Sequence, residues 1–322
     1  AGSEGSVAVE VTDHVDREYL RENHIGFAYA PGCNAESVAQ YVVAALLHYS
    51  GTSGVSLADM TLGIVGVGNV GSRVLKLAEV LGMNCLLNDP PKQRRTGAEV
   101  FRPLDEVLAE ADIVTLHVPL TAEGADATYH LVNNDFLTSM KEGAALFNTS
   151  RGRVIEERTL RARRDRLGGL VLDVWENEPG ISVETVRIAD IATPHIAGYS
   201  YDGKVRGAQM IYEAFCAFHF EQPKERLFDG TAGKKHNISL EKADDPVSKA
   251  VERAYPIMGD DARLREILKR DPEERAEFFD RLREKYPRRL EFVHYTVSGA
   301  KRDRETLAGL GFAAGAGVVD RG

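Results

Sequence analysis

Ten residues, LGIVGVGNVG at positions 62–71, narrow the possible folds more than any other stretch of the chain. An apolar run of strand type breaks into Gly66, Gly68 and Gly71, and a helical pattern follows directly. In such a turn the first glycine permits a tight bend, the second lets backbone approach a pyrophosphate, and the third lets the new helix pack closely on the strand. The helix N-terminus then faces the phosphates. Gly66, Gly68, Asn69, Val70 and Gly71 are therefore candidate cofactor-binding residues, provided that strand, turn and helix follow one another here.

The rest of the chain supports a dinucleotide fold. MNCLLN, residues 83–88, predicts a second strand ending at Asp89, eighteen positions past Gly71. A carboxylate near that spacing meets the adenosine ribose hydroxyls, which favours NAD over NADP. Lys92, Arg94 and Arg95 follow closely, either as a solvated basic loop or as partners for a ribose phosphate. DIVTLHVPL, GAALFNTS, GLVLDVW and ADIATPH are near-continuous apolar runs of the kind buried in parallel sheets. Helical stretches are expected between them at 104–110, 134–140 and 156–166. This alternation predicts an α/β fold with a doubly wound parallel sheet of Rossmann type.

Around that sheet, the opening predicts a short strand to Val11, a small helix over 15–23 and a strand IGFAYA. A long helix follows from the N-cap Asn34 to about Ser50, ended by Gly51 and Gly54. A second long helix is expected over 203–220. Residues 222–246 are polar and turn-rich and predict a linker, followed by helices over 246–286, a strand LEFVHYTVS and a short helix over 303–310. The expected organisation is a remnant of a substrate domain with its linking helix at 1–54, a dinucleotide domain at 55–194, a return helix at 195–222, and a linker with a small α+β module at 223–322. Charge runs in that module suit solvated helix faces carrying i,i+4 pairs.

Composition bounds the partners. The 322 residues are 43% hydrophobic and 28% charged, ordinary proportions for a soluble protein. No apolar run is long enough to span a membrane, and the first residues lack the pattern of a signal peptide. A net charge of -9 gives no support for nucleic-acid binding. Three widely spaced cysteines indicate neither a disulfide framework nor a thiolate metal site, and fit a reducing cytoplasm. Cys33 stands beside a helix N-cap, but no spacing supplies it with a partner.

Three residues follow strand ends on one edge of the expected sheet: Arg151, Glu178 and His195. Oxidising an alcohol requires a base for the hydroxyl proton and a cation for a neighbouring carboxylate. Histidine titrates near neutrality and suits the first task. Glu178 would fix its tautomer, and the planar fork of Arg151 matches a carboxylate or a developing carbonyl. His117 also ends a strand, nearer the expected adenosine end and without an acidic neighbour, and ranks below His195.

At these residues the chain resembles the D-2-hydroxyacid dehydrogenases, through GIVGVGNVG, LLNDPP, TLHVPL, NTSRGRVI, LDVWENEP and TPHIAGYS. Among them TDHVD, PGCNAESVAQYVV, NDPPKQRR and HIAGYSYDGKVRG are most similar to the 4-phosphoerythronate dehydrogenases of pyridoxal phosphate synthesis, and the tail resembles that group's C-terminal dimerisation module. The resemblance implies a flavodoxin-like substrate lobe and a homodimer. It assigns catalysis to Arg151, Glu178 and His195 as proton donor. NAD contacts fall to Asp89, Thr149, Ser150, Arg151, Asp173, His195 and Gly198, and substrate contacts to Arg151 and Tyr199. The implied substrate is a phosphorylated 2-hydroxy acid, with phosphoglycerate or hydroxypyruvate types as alternatives, and no metal.

Departures from the family pattern accompany the likeness. Members begin with about fifty to sixty further residues, the size of a small lobe; here GSVAVEV stands where a threonine-bearing segment is expected. The chain is then either a fragment or a protein with a shortened substrate lobe. Val118 replaces a threonine near the cofactor, and Glu156 stands where an aspartate is usual. A protein that keeps NAD without turnover, working through its dimer surface, is the contrasting alternative.

Overall fold

The computed structural model describes residues 15–223 and 236–314. Six parallel strands form the central sheet: β1 (Thr61–Val65), β2 (Asn84–Asn88), β3 (Ile113–Leu116), β4 (Ala145–Asn148), β5 (Gly169–Leu172) and β6 (Ile191–Ala192). Their order is β2-β1-β3-β4-β5-β6, so the winding reverses between β1 and β3. Loops at the carboxyl ends flank a crevice at such a switch point. Strands β3 to β6 are buried throughout, which is why they read as unbroken apolar runs. Outside β2 a single parallel bridge, Leu87 to Phe101, extends the sheet.

The helices are α1 (Arg17–Glu22), α2 (Ala35–Ser53), α3 (Asn69–Val80), α4 (Pro90–Thr96), α5 (Leu104–Glu110), α6 (Asn134–Ser139), α7 (Glu157–Ala162), α8 (Val183–Ile188) and α9 (Tyr201–Phe218). The C-terminal part adds α10 (Pro246–Ala254), α11 (Ile257–Arg265), α12 (Arg275–Glu284) and α13 (Arg304–Gly309). It also forms a second parallel sheet from β7 (His236–Ser239), β8 (Tyr295–Ser298) and β9 (Ala313–Ala314). No helix among the described residues is long and apolar enough to cross a membrane.

One hydrophobic cluster joins Tyr41 and Leu46 of α2, Ile64 and Phe147 of the main sheet, and Val251, Phe292 and Leu310 of the C-terminal part. The other face of the sheet packs with Leu264 and Phe279. The C-terminal module therefore shares its core with the dinucleotide domain on both sides. Asp261 reinforces this join, accepting a hydrogen bond from the Ala192 N–H of β6 at 2.8 Å.

Five expectations need correction, the first being LEFVHYTVS, of which only Tyr295–Ser298 is a strand, since Phe292–His294 form a 3-10 turn. IGFAYA forms no strand, because no neighbouring strand among the described residues supplies hydrogen-bond partners for its apolar run. Gly51 lies inside α2, and the helix ends at Gly54, whose φ of 71° is left-handed. Asn34 holds the N-cap position without a side-chain cap hydrogen bond. Part of the expected linker is β7, whose short polar sequence HNIS has strand geometry only through its pairing with β8. The expected strand to Val11 and the GSVAVEV segment lie outside the described residues.

Backbone contact fixes the identity of several glycines. A Cβ on Gly152 would lie 1.8 Å from the Trp175 carbonyl oxygen. Gly152→Ala must therefore displace one of two buried loops, an overpacking cost of about 1–3 kcal/mol. Urea denaturation is expected to show a lower midpoint at an unchanged slope.

Candidate active site

The glycine turn leaves β1 at Gly66, where φ is 88° and a Cβ would lie 2.7 Å from the His117 carbonyl oxygen. At Gly71 a Cβ would lie 2.0 Å from the Gly66 carbonyl oxygen, so α3 sits tightly on the turn. Gly68 differs: nothing lies within 4 Å of a Cβ built there, and it borders the cleft. No side chain caps the twelve-residue helix α3. Open space before uncapped N–H groups, at the positive end of a helix, suits a pyrophosphate.

Asp89 stands at the end of β2, with one carboxylate oxygen accepting from the Val67 N–H and the other from the Lys92 N–H, both at 2.9 Å. This holds the carboxylate beside the glycine turn with lone pairs remaining for hydroxyl donors. Of the three neighbouring cations, Lys92 donates to the Val67 carbonyl at 2.7 Å, and Arg94 is paired with Asp126. The turn and carboxylate thus fit a dinucleotide with a free ribose diol.

The loops after β4, β5 and β6 build the edge of the cleft where Arg151, Glu178 and His195 were expected. Asn148 pins the first loop: its Oδ1 accepts from the Ser150 N–H at 3.0 Å and the Ser150 hydroxyl at 2.7 Å, and its Nδ2 donates to the Arg151 carbonyl at 3.0 Å. The Arg151 guanidinium donates to the Ser150 carbonyl at 2.7 Å and borders the cleft. From the second loop, Glu178 accepts the Trp175 N–H on Oε1 at 2.8 Å, and its Oε2 lies 2.6 Å from Nδ1 of His195. That contact places a proton on Nδ1, and Nε2 has no hydrogen bond among the described residues.

His195 holds a left-handed backbone with φ of 57°, uncommon outside glycine. Its N–H donates to the Asp173 carbonyl at 2.7 Å. The buried Asp173 carboxylate accepts from the Thr193 hydroxyl at 2.6 Å and from the Ile196 and Ala197 N–H groups at 2.8 and 2.9 Å. Burial pushes the Asp173 carboxyl above its ordinary range, opposed by the positive potential of His195 and by these three donors. The loop carrying His195 is wrapped around this side chain.

A cleft of about 300 Å³ collects these groups. Gly68, Asn69, Val70, Thr149, Ser150, Arg151, Asp173, His195, Gly198 and Tyr199 line it. Gly66 and Gly71 support the turn beneath, Asp89 lies beside the turn, and Glu178 stands behind His195. The sequence did not mark Asn34, Val38 or Pro119 as lining residues. Asn34 carried a signal, a polar residue directly before a long helix, but its side chain does not cap that helix. Instead its Nδ2 abuts Gly198 and its buried Oδ1 has no partner.

At the same cleft, the Tyr199 ring is bracketed by Lys204 Nζ at 5.4 Å and the Arg283 guanidinium at 6.0 Å from its centre. Neither cation has a carboxylate partner among the described residues. A hollow of about 330 Å³ between α2 and α10 contains no comparable acid–base pair.

His117 also borders the cleft, between the hydroxyls of Thr115 at 3.0 Å and Thr149 at 3.3 Å. Burial pulls its imidazole from 6.5 down to about 3, so it stays neutral near neutral pH. The unfolded chain therefore binds the extra proton in that interval, and stability rises with pH from about 3 to 6.5. Replacing His117 by Gln is expected to flatten the stability profile across this interval, as measured by urea denaturation at a series of pH values. An unchanged slope would contradict the neutral, half-buried imidazole.

The family described as D-isomer specific 2-hydroxyacid dehydrogenase, NAD binding domain, matches residues 35–197, and a domain of unknown function, DUF3410, matches residues 233–311. An erythronate-4-phosphate dehydrogenase of Salinibacter ruber is 47% identical over 316 residues, covering 93% of this chain and 81% of the relative. One from Cronobacter sakazakii is 43% identical, covering 93% and 78%. Among solved structures, a D-lactate dehydrogenase from Aquifex aeolicus complexed with NAD and lactic acid aligns with a TM-score of 0.55 at 27% identity. That alignment covers 67% of this chain and 76% of the other.

Proposed function

The chain belongs to the D-isomer-specific 2-hydroxyacid dehydrogenases, in the group of the erythronate-4-phosphate dehydrogenases, and from that premise we propose that it oxidises 4-phospho-D-erythronate to 2-oxo-3-hydroxy-4-phosphobutanoate with NAD. The observation that carries the proposal is the His195–Glu178 pair, 2.6 Å apart, on the cleft that Arg151 and the glycine turn also border. This step would serve pyridoxal phosphate synthesis in the cytoplasm, with the protein acting as a homodimer through its C-terminal module.

The geometry supports the following division of labour. Nε2 of His195 takes the hydroxyl proton, and Glu178 stabilises the imidazolium that forms. Arg151 holds the substrate carboxylate and polarises the oxygen that becomes the carbonyl. Gly68, Asn69 and Val70 would hold the pyrophosphate, Asp89 the adenosine ribose, and Asp173 and Gly198 the nicotinamide end. When bound, NAD supplies the hydride acceptor. Lys204 and Arg283, cations without carboxylate partners at Tyr199, suit the phosphate on the far end of the substrate.

The test follows NADH formation with 4-phosphoerythronate alongside calorimetry of NAD binding. Binding without turnover of this or any other 2-hydroxy acid would overturn the enzymatic proposal in favour of a non-catalytic NAD-binding protein. His195→Ala is expected to lower kcat by at least about 100-fold, the scale of general acid–base catalysis, with NAD affinity nearly unchanged. A comparable loss of NAD binding would contradict the proton-transfer role. Lys204→Met is expected to raise KM for the phosphorylated substrate roughly tenfold or more while kcat changes little, the scale of one lost hydrogen bond to a charged group. An unchanged KM would remove Lys204 from the phosphate site.

A further inference from the structure

The loop that carries His195 is held from two sides, and only the inner side belongs to the dinucleotide domain. There Asp173 takes the N–H groups of Ile196 and Ala197. On the outer side the Ala197 carbonyl accepts a hydrogen bond at 2.9 Å from Nη2 of Arg289, a buried residue of the C-terminal module. The same Nη2 donates to the Ser37 carbonyl in α2 at 2.7 Å, and the Arg289 carbonyl accepts from the Tyr201 N–H at the start of α9 at 2.8 Å. The Tyr255 ring faces the guanidinium at 4.3 Å. One arginine thus touches the catalytic loop and both long helices beside it.

Its neighbours extend the join. Glu291 accepts from the hydroxyls of Ser37 at 2.9 Å and Ser200 at 3.1 Å, and from Nη1 of Arg206 at 2.9 Å. Asp202 accepts the Glu291 N–H at 3.0 Å and lies 2.6 Å from Nε2 of His294. Residues 289–294 of the module are therefore interleaved with α2 and the start of α9, six residues past His195 in sequence.

We propose that the C-terminal module is a working part of the active site, in which Arg289 is a positioning residue that holds the His195 loop in register with Glu178. Arg289 touches neither substrate nor cofactor in this scheme. It acts through the Ala197 backbone, whose N–H is bound to Asp173 and whose carbonyl is bound to Arg289. Releasing the outer contact frees the loop to move relative to Glu178, and the His195–Glu178 geometry loosens. The catalytic consequence rests on the assignment of His195 as the proton-transfer residue, whereas the structural coupling does not.

The test replaces Arg289 in the whole chain by Met and by Lys. Hydrogen exchange at the Ile196 and Ala197 amides reads the loop directly, without turnover. In R289M both amides are expected to exchange faster, with α2 and β1 to β5 unchanged, and kcat is expected to fall about 100-fold, the scale of a small misplacement of a catalytic group. KM and NAD affinity should hold, R289K should keep part of the rate, and added guanidinium should restore part of the rate to R289M. Native exchange at 196–197 or native kcat in R289M overturns the proposal. So does a rate loss that R289K shares in full and that comes with lost NAD binding and exchange throughout the sheet, since that is unfolding. Where R289M does not fold, R289K decides: a partial fall in kcat with faster exchange at 196–197 supports the contact, and native kcat with native exchange, or a lost rate without faster exchange at 196–197, refutes it. Absence of turnover in the native chain would refute the proposed reaction, and the exchange comparison would still decide whether Arg289 holds the loop.

Discussion

The buried carboxylate of Asp173 is the interaction on which the site depends. A carboxylate taken out of water needs donors, and this one obtains them from the segment that follows β6: the Thr193 hydroxyl and the N–H groups of Ile196 and Ala197. Satisfying that demand curls the backbone and forces His195 into its left-handed conformation. The loop geometry is thus a consequence of solvating one charge internally. A second layer surrounds it: Tyr41 in α2 meets the Thr193 hydroxyl at 2.7 Å, and the Trp175 indole donates to the Thr193 carbonyl at 2.9 Å.

Parallel strand order does the remaining work of assembly. Because every strand of the main sheet points the same way, the loops bearing Arg151, Glu178 and His195 emerge on one edge, although the first and the last lie 44 positions apart. The glycine turn emerges on that edge too, directly at the reversal of winding. The His195–Glu178 pair and the glycine turn therefore converge without any element having to bend toward the other.

Much of this was legible in the sequence because it is carried by local pattern. The three glycines, the apolar runs of β3 to β6 and the strand-end placement of Arg151, Glu178 and His195 all depend on residues close in the chain. What escaped depends on partners far away. HNIS has no strand pattern of its own and pairs with residues some sixty positions later. IGFAYA has the pattern and lacks the partner. Gly51 was expected to break a helix, but α2 runs through it to Gly54. Asn34 was assigned to its helix and instead meets Gly198 across the cleft. Arg289, in a charged stretch that suits a solvated surface, is buried because α2 and the His195 loop offer it carbonyls.

The hydrophobic cluster that runs from the main sheet through α2 into the C-terminal module has an evolutionary consequence. A tail exchanged for one of another origin would need apolar side chains matching Tyr41 and Leu46, and a donor where Arg289 meets two backbone carbonyls. Such a tail cannot be traded as an independent cassette. It is inherited together with the helix it packs on, and substitutions on either side of the join are expected to accumulate in pairs.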